Sequence, residues 1–157
     1  MVEIERKFLI KSDAYKKEAT SINRIIQGFL NTHPNRTVRI RIKGNSGFVT
    51  IKGISNKAGT SRFEWEKEIE VLEAEALLKI CEETVIEKIR YEIPKGNHMF
   101  EVDEFLSENE GLVMAEIELE NENDMFERPI WLGEEVTGQL KYYNSLLSKK
   151  PYKSWGK

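Results

Sequence analysis

Cysteine is almost missing from this 157-residue sequence. Cys81 stands alone, so no internal disulfide can form and a reducing compartment is expected. No apolar run approaches the ~20 residues of a membrane span, and the opening Met1-Val2-Glu3-Ile4-Glu5-Arg6-Lys7 has no apolar core for a signal peptide. A cytoplasmic protein that engages no membrane is therefore the expectation. Histidine is scarce as well: His33 and His98 both lie in turn-like stretches, where solvated side chains are better readings than metal ligands. Net charge is small, −3, which excludes a generic polyanion binder. That small total conceals a sorting, because residues 1–62 carry 13 basic and 4 acidic side chains while residues 63–157 carry 11 and 23. The apolar residues alternate with the charges in both halves, so neither is a disordered arm or tail. At this length the chain is expected to form one domain, 1–157, burying roughly 68–70% of its unfolded surface.

The dominant period is two, the strand signal. Val2, Ile4, Phe8 and Ile10 share one face of the first segment while Glu3, Glu5 and Lys7 share the other. Similar segments follow at about 24–31, 36–44, 47–54, 62–71, 85–94, 98–105 and 112–120, giving eight expected strands. Turn chemistry such as Gly44-Asn45-Ser46-Gly47 and Lys95-Gly96-Asn97 keeps the links short, so neighbours should be antiparallel. Helices are fewer. One is expected from a Ser12-Asp13 cap to about Ser21, and a second over 72–83 with Leu72, Ala76, Leu77 and Ile80 as its apolar stripe. Cys81 sits beside that stripe and reads as a buried, inert thiol. A third, partly helical region spans about 134–148, and the tail through Trp155 should pack back on the body.

The polar strand faces are not mixed. Arg39, Arg41 and Lys43 point together, as do Lys88 and Arg90; so do Glu3 with Glu5, Glu64 with Glu66, Glu101 with Asp103, and Glu116 with Glu118. An antiparallel sheet with one face in water would explain any single strand. Eight strands, however, can close on themselves and remove their edges, and one face then lines an interior. Like charges about 7 Å apart on one strand face repel by roughly 2–2.5 kcal/mol at an effective dielectric near 20. Rows of Arg and Lys in such a space call for counter-ions that a chain of phosphates would supply, and clustered carboxylates call for a hard divalent cation.

The residues Glu3-Ile4-Glu5-Arg6-Lys7-Phe8 resemble the ExExK signature of the CYTH family, the triphosphate tunnel metalloenzymes. Gln27-Gly28-Phe29-Leu30, Val38-Arg39-Ile40-Arg41, Thr50-Ile51-Lys52-Gly53, Lys88-Ile89-Arg90, Glu101-Val102-Asp103, Glu116-Ile117-Glu118 and Tyr142-Tyr143-Asn144-Ser145 follow in the family's order. The resemblance implies an α+β, mostly β fold: a closed eight-stranded antiparallel β-barrel with a few helices packed outside. It implies Mg²⁺ or Mn²⁺ at Glu3, Glu5, Glu116 and Glu118, and phosphate contacts from Lys7, Arg39, Arg41, Lys52, Lys88 and Arg90. Glu5, Lys7 and Lys88 are the expected catalytic groups; Glu64, Glu66 and Asp103 are second-rank members. One departure is Phe29, where short bacterial relatives commonly carry tyrosine, so any phenol chemistry there must fall to Lys88, Lys7 or the metal site.

Metal-dependent hydrolysis of a small-molecule triphosphate, tripolyphosphate above all, is the leading expectation. A class IV-type adenylate cyclase making cyclic AMP from ATP uses the same site but needs a base and ribose pocket that no short motif marks. A non-catalytic polyphosphate- or nucleotide-binding module would not need both carboxylate pairs. Nucleic-acid binding is not expected, because the basic residues would lie inside a bore too narrow for a duplex. Barrel exteriors of this kind leave room for a homodimer.

Overall fold

Alternating charged and β-branched or aromatic residues fold here as a sheet curled until its ends meet. The computed structural model describes residues 1–156, leaving aside the side chain of Glu83. Eight strands form the ring: β1 (Val2–Ile10), β2 (Ser21–Asn31), β3 (Thr37–Lys43), β4 (Ser46–Ser55), β5 (Ser61–Ile69), β6 (Glu82–Lys95), β7 (His98–Phe105) and β8 (Val113–Glu118). Their order is β5-β4-β3-β2-β6-β7-β8-β1, every pairing is antiparallel, and β1 closes the barrel on β5 through Val2↔Phe63, Glu3↔Arg62 and Ile4↔Ser61. That seam is short. A ninth strand, β9 (Leu132–Glu135), takes the remainder of the same β1 edge through Phe8↔Glu135 and Ile10↔Leu132.

All eight expected strands are present, whereas the helices are smaller than their sequence patterns suggest. Residues 12–21 hold only a 3-10 turn, Ala14–Glu18, because Asp13 makes no capping bond and the Thr20 N–H already donates to Glu92 O at the start of β2. The helix expected over 72–83 is α1, Val71–Leu78, opened by a capping box of Glu70 with Glu73. It buries Ala74, while Leu72 and Ile80 of the expected stripe are exposed. The chain leaves it early because Glu82 is already in β6. In the region expected to be partly helical, Leu132–Glu135 is strand, followed by a 3-10 turn at Leu140–Tyr142 and the short α2, Asn144–Leu147.

Two apolar clusters fix the barrel. Outside, Phe8, Ile93, Phe100, Val102, Ala115 and Ile117 are covered by Tyr15 from the 3-10 turn and by Trp131, whose indole N–H donates to Glu18 at 3.1 Å. Inside, one end of the bore is plugged by Phe29, Ile86, Phe105 and Met114 with Val136, Tyr142 and Leu147 from the C-terminal segment. Each such side chain contributes about 1.5–3 kcal/mol on burial. The expected charged bore is present, and the C-terminal segment fills one end of it, leaving a cup. Trp155 does return to the body, edge-on to Tyr142 at 5.4 Å between ring centres. Across the outer face of β2–β4, α1 lies close enough to need glycine beneath it: a Cβ on Gly28 would stand 2.9 Å from Cys81 Cβ, and one on Gly47 2.9 Å from Ala74 Cβ. Cys81 is half-buried, its thiol donating to Leu77 O at 3.4 Å, and burial followed by the Glu82 charge pushes its pKa up, as suits an inert thiol. Replacing Gly47 by valine should cost about 1–3 kcal/mol through overpacking, read as a lower urea midpoint with an unchanged slope.

Candidate active site

Strand order, more than sequence order, sorts the charges around the bore. Lys52 on β4, Arg39 and Arg41 on β3, and Lys88 and Arg90 on β6 come from adjacent or nearly adjacent strands, with only β2 and its buried Gln27 between β3 and β6. Glu101 on β7, Glu116 and Glu118 on β8, Glu3 and Glu5 on β1, and Glu64 and Glu66 on β5 complete the circle. The two arcs enclose one cavity of about 250 Å³. Every residue expected at the site lines it except Asp103, which lies 2% exposed behind the basic arc.

Asp103 is the counter-charge of that arc. Arg90 donates to both its oxygens, from Nε at 2.8 Å and Nη2 at 2.9 Å, and Lys88 Nζ reaches Oδ2 at 2.8 Å. Burial alone would raise the Asp103 pKa, but the charges and hydrogen bonds of Arg90 and Lys88 overcome it and hold the carboxyl far below the usual range. Lys52 joins the arcs on the other side, donating to Glu3 at 2.9 and 3.1 Å and lying 3.3 Å from Glu64. Arg39 is held by Thr50 at 3.1 Å and Glu66 at 3.4 Å, yet its buried Nε has no partner among the described residues. Arg41 Nε donates to Gln27 Oε1 at 2.8 Å, Gln27 Nε2 to Asn144 Oδ1 at 2.7 Å, and Lys88 Nζ to that same oxygen at 2.9 Å.

These residues sit uneasily with one another. Burial, then the charges of Arg39 and Arg90, lowers the Arg41 pKa well below its ordinary value. Burial brings Lys88 down to about 7 despite Asp103, with Arg90 and Arg41 adding to the fall. Across the cavity, Glu5 pairs opposite Glu118 and Glu116 opposite Lys7. Burial first, then Glu116 and Glu3, raises Glu5 to about 8. Glu116 goes the other way: burial is outweighed by Lys7, a hydrogen bond from Glu5 and Arg90, leaving it at about 2. Burial raises the Glu118 pKa, helped by Glu3 and Glu101. Burial works against Glu3 too, but Lys52 and Glu64 outweigh it and its pKa is lowered.

Among the described residues no three His, Cys, Asp or Glu side chains form a ready-made metal cage. The fit is nonetheless good for one class of ion. Mg²⁺-like cations take one or two carboxylates and fill their shell with water and substrate phosphates, and the carboxylate wall of Glu3, Glu5, Glu116 and Glu118, in which burial and then neighbouring charge raise Glu5 and Glu118, offers those oxygens.

Sequence reasoning passed over Arg62, Tyr143, Asn144 and Gln27. Arg62 stands opposite Glu3 at the seam, with its guanidinium 5.5 Å from the Tyr143 ring centre. Tyr143 also carries Lys7 Nζ over its ring at 4.5 Å. The Tyr-Asn-Ser stretch was visible as a motif, but its contacts span more than 50 residues and nothing local announces them. Phe29 lines the closed end, where it belongs to the apolar plug.

A closed barrel with basic and acidic arcs around one polyanion-sized cup defines a phosphate-handling enzyme class. Residues 1–151 match the model of the CYTH domain, and the chain belongs to that family. It is 48% identical over 98% of its length to an inorganic triphosphatase of Acetivibrio thermocellus, covering 97% of that protein. It is 34% identical, over 94% of its length and 97% of the relative, to an inorganic triphosphatase of Nitrosomonas europaea. Among solved structures it resembles the inorganic triphosphatase NE1496 with a TM-score of 0.65 and 32% identity, over 93% of this chain and 97% of that one. A putative adenylyl cyclase from Hippeastrum shares the fold at a TM-score of 0.61 and 12% identity, over 76% of this chain and 80% of that one.

The raised Glu5 pKa fixes a sign for stability. The native state binds a proton there that the unfolded chain, titrating near 4.5, releases, so this contribution is present below pH 4.5 and lost as pH rises through about 8. In metal-free protein, Glu5→Gln should melt higher than wild type at pH 8.5, and the difference should vanish near pH 5. A difference independent of pH would show that Glu5 is ionised throughout.

Proposed function

We propose that the protein hydrolyses triphosphates with a divalent metal ion, taking inorganic triphosphate by preference and releasing orthophosphate. The observation that carries this reading is the pairing of a basic arc, in which buried Arg39 Nε lacks a partner among the described residues, with a carboxylate arc in which burial and then the charges of Glu116 and Glu3 raise Glu5. A chain of phosphates answers the first need and a hard cation the second. The identity of both triphosphatase relatives over nearly their whole length supports the same reaction here.

Arg39, Arg41 and Arg90 offer planar forks that match phosphate oxygens, and with Lys7 and Lys52 they neutralise charge that develops as the bond to the leaving phosphate breaks. Glu3, Glu5, Glu116 and Glu118 are the groups that would hold Mg²⁺ or Mn²⁺. When bound, that ion supplies Lewis-acid stabilisation of phosphoryl oxygens and orients the attacking water. Glu5 must give up its proton on metal binding, which makes affinity rise with pH. Lys88, with a pKa near 7, can take a proton from the attacking water at neutral pH and return it later. No tyrosine stands at position 29 to share that duty. Asp103 keeps Arg90 and Lys88 in place and takes no direct part.

The test is phosphate release from tripolyphosphate with Mg²⁺ or Mn²⁺. Arg41→Ala and Glu118→Gln should each lower kcat/KM by about 10²–10³-fold, the scale of losing one charge-stabilising contact, and chelation of the metal should abolish turnover. ATP should give phosphate without cyclic AMP. Full activity in both variants would rule out this site, and cyclic AMP as the main product of ATP would reassign the reaction.

A further inference from the structure

The two lysines at the closed end of the cup come from opposite arcs, Lys7 on β1 and Lys88 on β6, yet three consecutive residues of the C-terminal segment touch both. Lys7 Nζ lies 3.5 Å from Tyr142 O and 4.5 Å above the Tyr143 ring centre. Lys88 Nζ donates to Asn144 Oδ1 at 2.9 Å. We propose that Tyr142, Tyr143 and Asn144 are positioning residues that set the spacing of Lys7 and Lys88 across the end of the bound triphosphate chain; this rests on the triphosphatase reading above.

Three features support it. First, the segment is anchored independently of the site. Tyr142 and Leu147 are buried in the apolar plug, and the Leu146 and Leu147 N–H groups both donate to Tyr143 O at 2.9 Å. Second, the Asn144 amide has one orientation: two donors, Gln27 Nε2 and Lys88 Nζ, converge on one atom, which must be the acceptor oxygen. Through Gln27 the same oxygen also fixes Arg41, so a single side chain aligns two members of the basic arc, Lys88 and Arg41. Third, the other contacts of Lys88 Nζ among the described residues are Asp103 at 2.8 Å and the Phe105 ring centre at 5.3 Å, and neither residue is in the cavity lining. With Asn144 gone, the ammonium keeps Asp103 and the Phe105 ring and draws back from the cavity. The strands place the two lysine backbones, and the C-terminal segment places their ammonium ends.

A misplacement of about 1 Å can cost on the order of 10²-fold in rate. Asn144→Leu should therefore lower kcat for tripolyphosphate by roughly 10–100-fold while KM moves less than about threefold, because the arginine forks still bind the chain. Asn144→Asp, which keeps the acceptor oxygen, should recover most of that kcat. The decisive measurement is a double-mutant cycle: in a Lys88→Met background, adding Asn144→Leu should cost at least about threefold less than it does in the wild type, the remainder being the loss at Arg41 through Gln27. If Asn144→Leu does not fold, as judged by its melting curve, Asn144→Ala removes the same oxygen without adding bulk and is cycled in its place. An equal loss with and without Lys88 would overturn the positioning role while leaving the triphosphatase reading intact. Full activity of Lys88→Met alone would likewise overturn the positioning role, whereas no phosphate release from tripolyphosphate by the wild type would overturn the triphosphatase reading.

Discussion

Repulsion between like charges is the constraint on which the rest of this structure depends. A barrel bore about 250 Å³ in size holds a basic arc and a carboxylate arc, and neither is neutralised by its own members. Asp103 compensates Lys88 and Arg90, and Lys52 reaches over to Glu3 and Glu64, but Arg39 and Arg41 face the cavity with donors to spare and Glu5 holds a proton against its nature. The closed ring of strands, the covered outer face and the apolar plug hold these groups together against that repulsion.

Connectivity explains how so many like charges come to share a wall. β3 and β6 are far apart in the chain but flank β2, so Arg39 and Arg41 stand beside Lys88 and Arg90 with Gln27 as the spacer. The near-neutral total and the opposite charges of the two halves of the chain describe the same arrangement. Glu3 and Glu5 leave the basic half for the carboxylate arc, and Lys88 and Arg90 leave the acidic half for the basic one. The C-terminal segment adds what strands cannot, a floor that touches both arcs.

Most of the barrel was legible in the sequence because a two-residue period writes both strand and face: every expected strand is present, and all the expected ligands but Asp103 line the cavity. Asp103 shared that alternation, but its withdrawal from the cavity depends on Arg90 and Lys88 closing over it, which no strand pattern encodes. Helices were less legible. Leu72 and Ile80 made a plausible apolar stripe, yet the sheet accepts α1 on Ala74, where Gly47 leaves room, and that choice is tertiary. β9 was missed because four residues carry too little periodicity to outweigh the helical spacing of Val136, Leu140 and Tyr143. Gln27 and Asn144 carry no charge pattern at all; their importance comes from meeting each other across the bore.

The most direct test of this account is a crystal structure with Mn²⁺ and tripolyphosphate in which the anomalous signal locates the metal. The account predicts a manganese peak against Glu3, Glu5, Glu116 and Glu118, with the phosphate chain lying on Arg39, Arg41, Lys52 and Arg90. Manganese and phosphate bound outside the bore, or phosphates lying on the carboxylate arc, would contradict it.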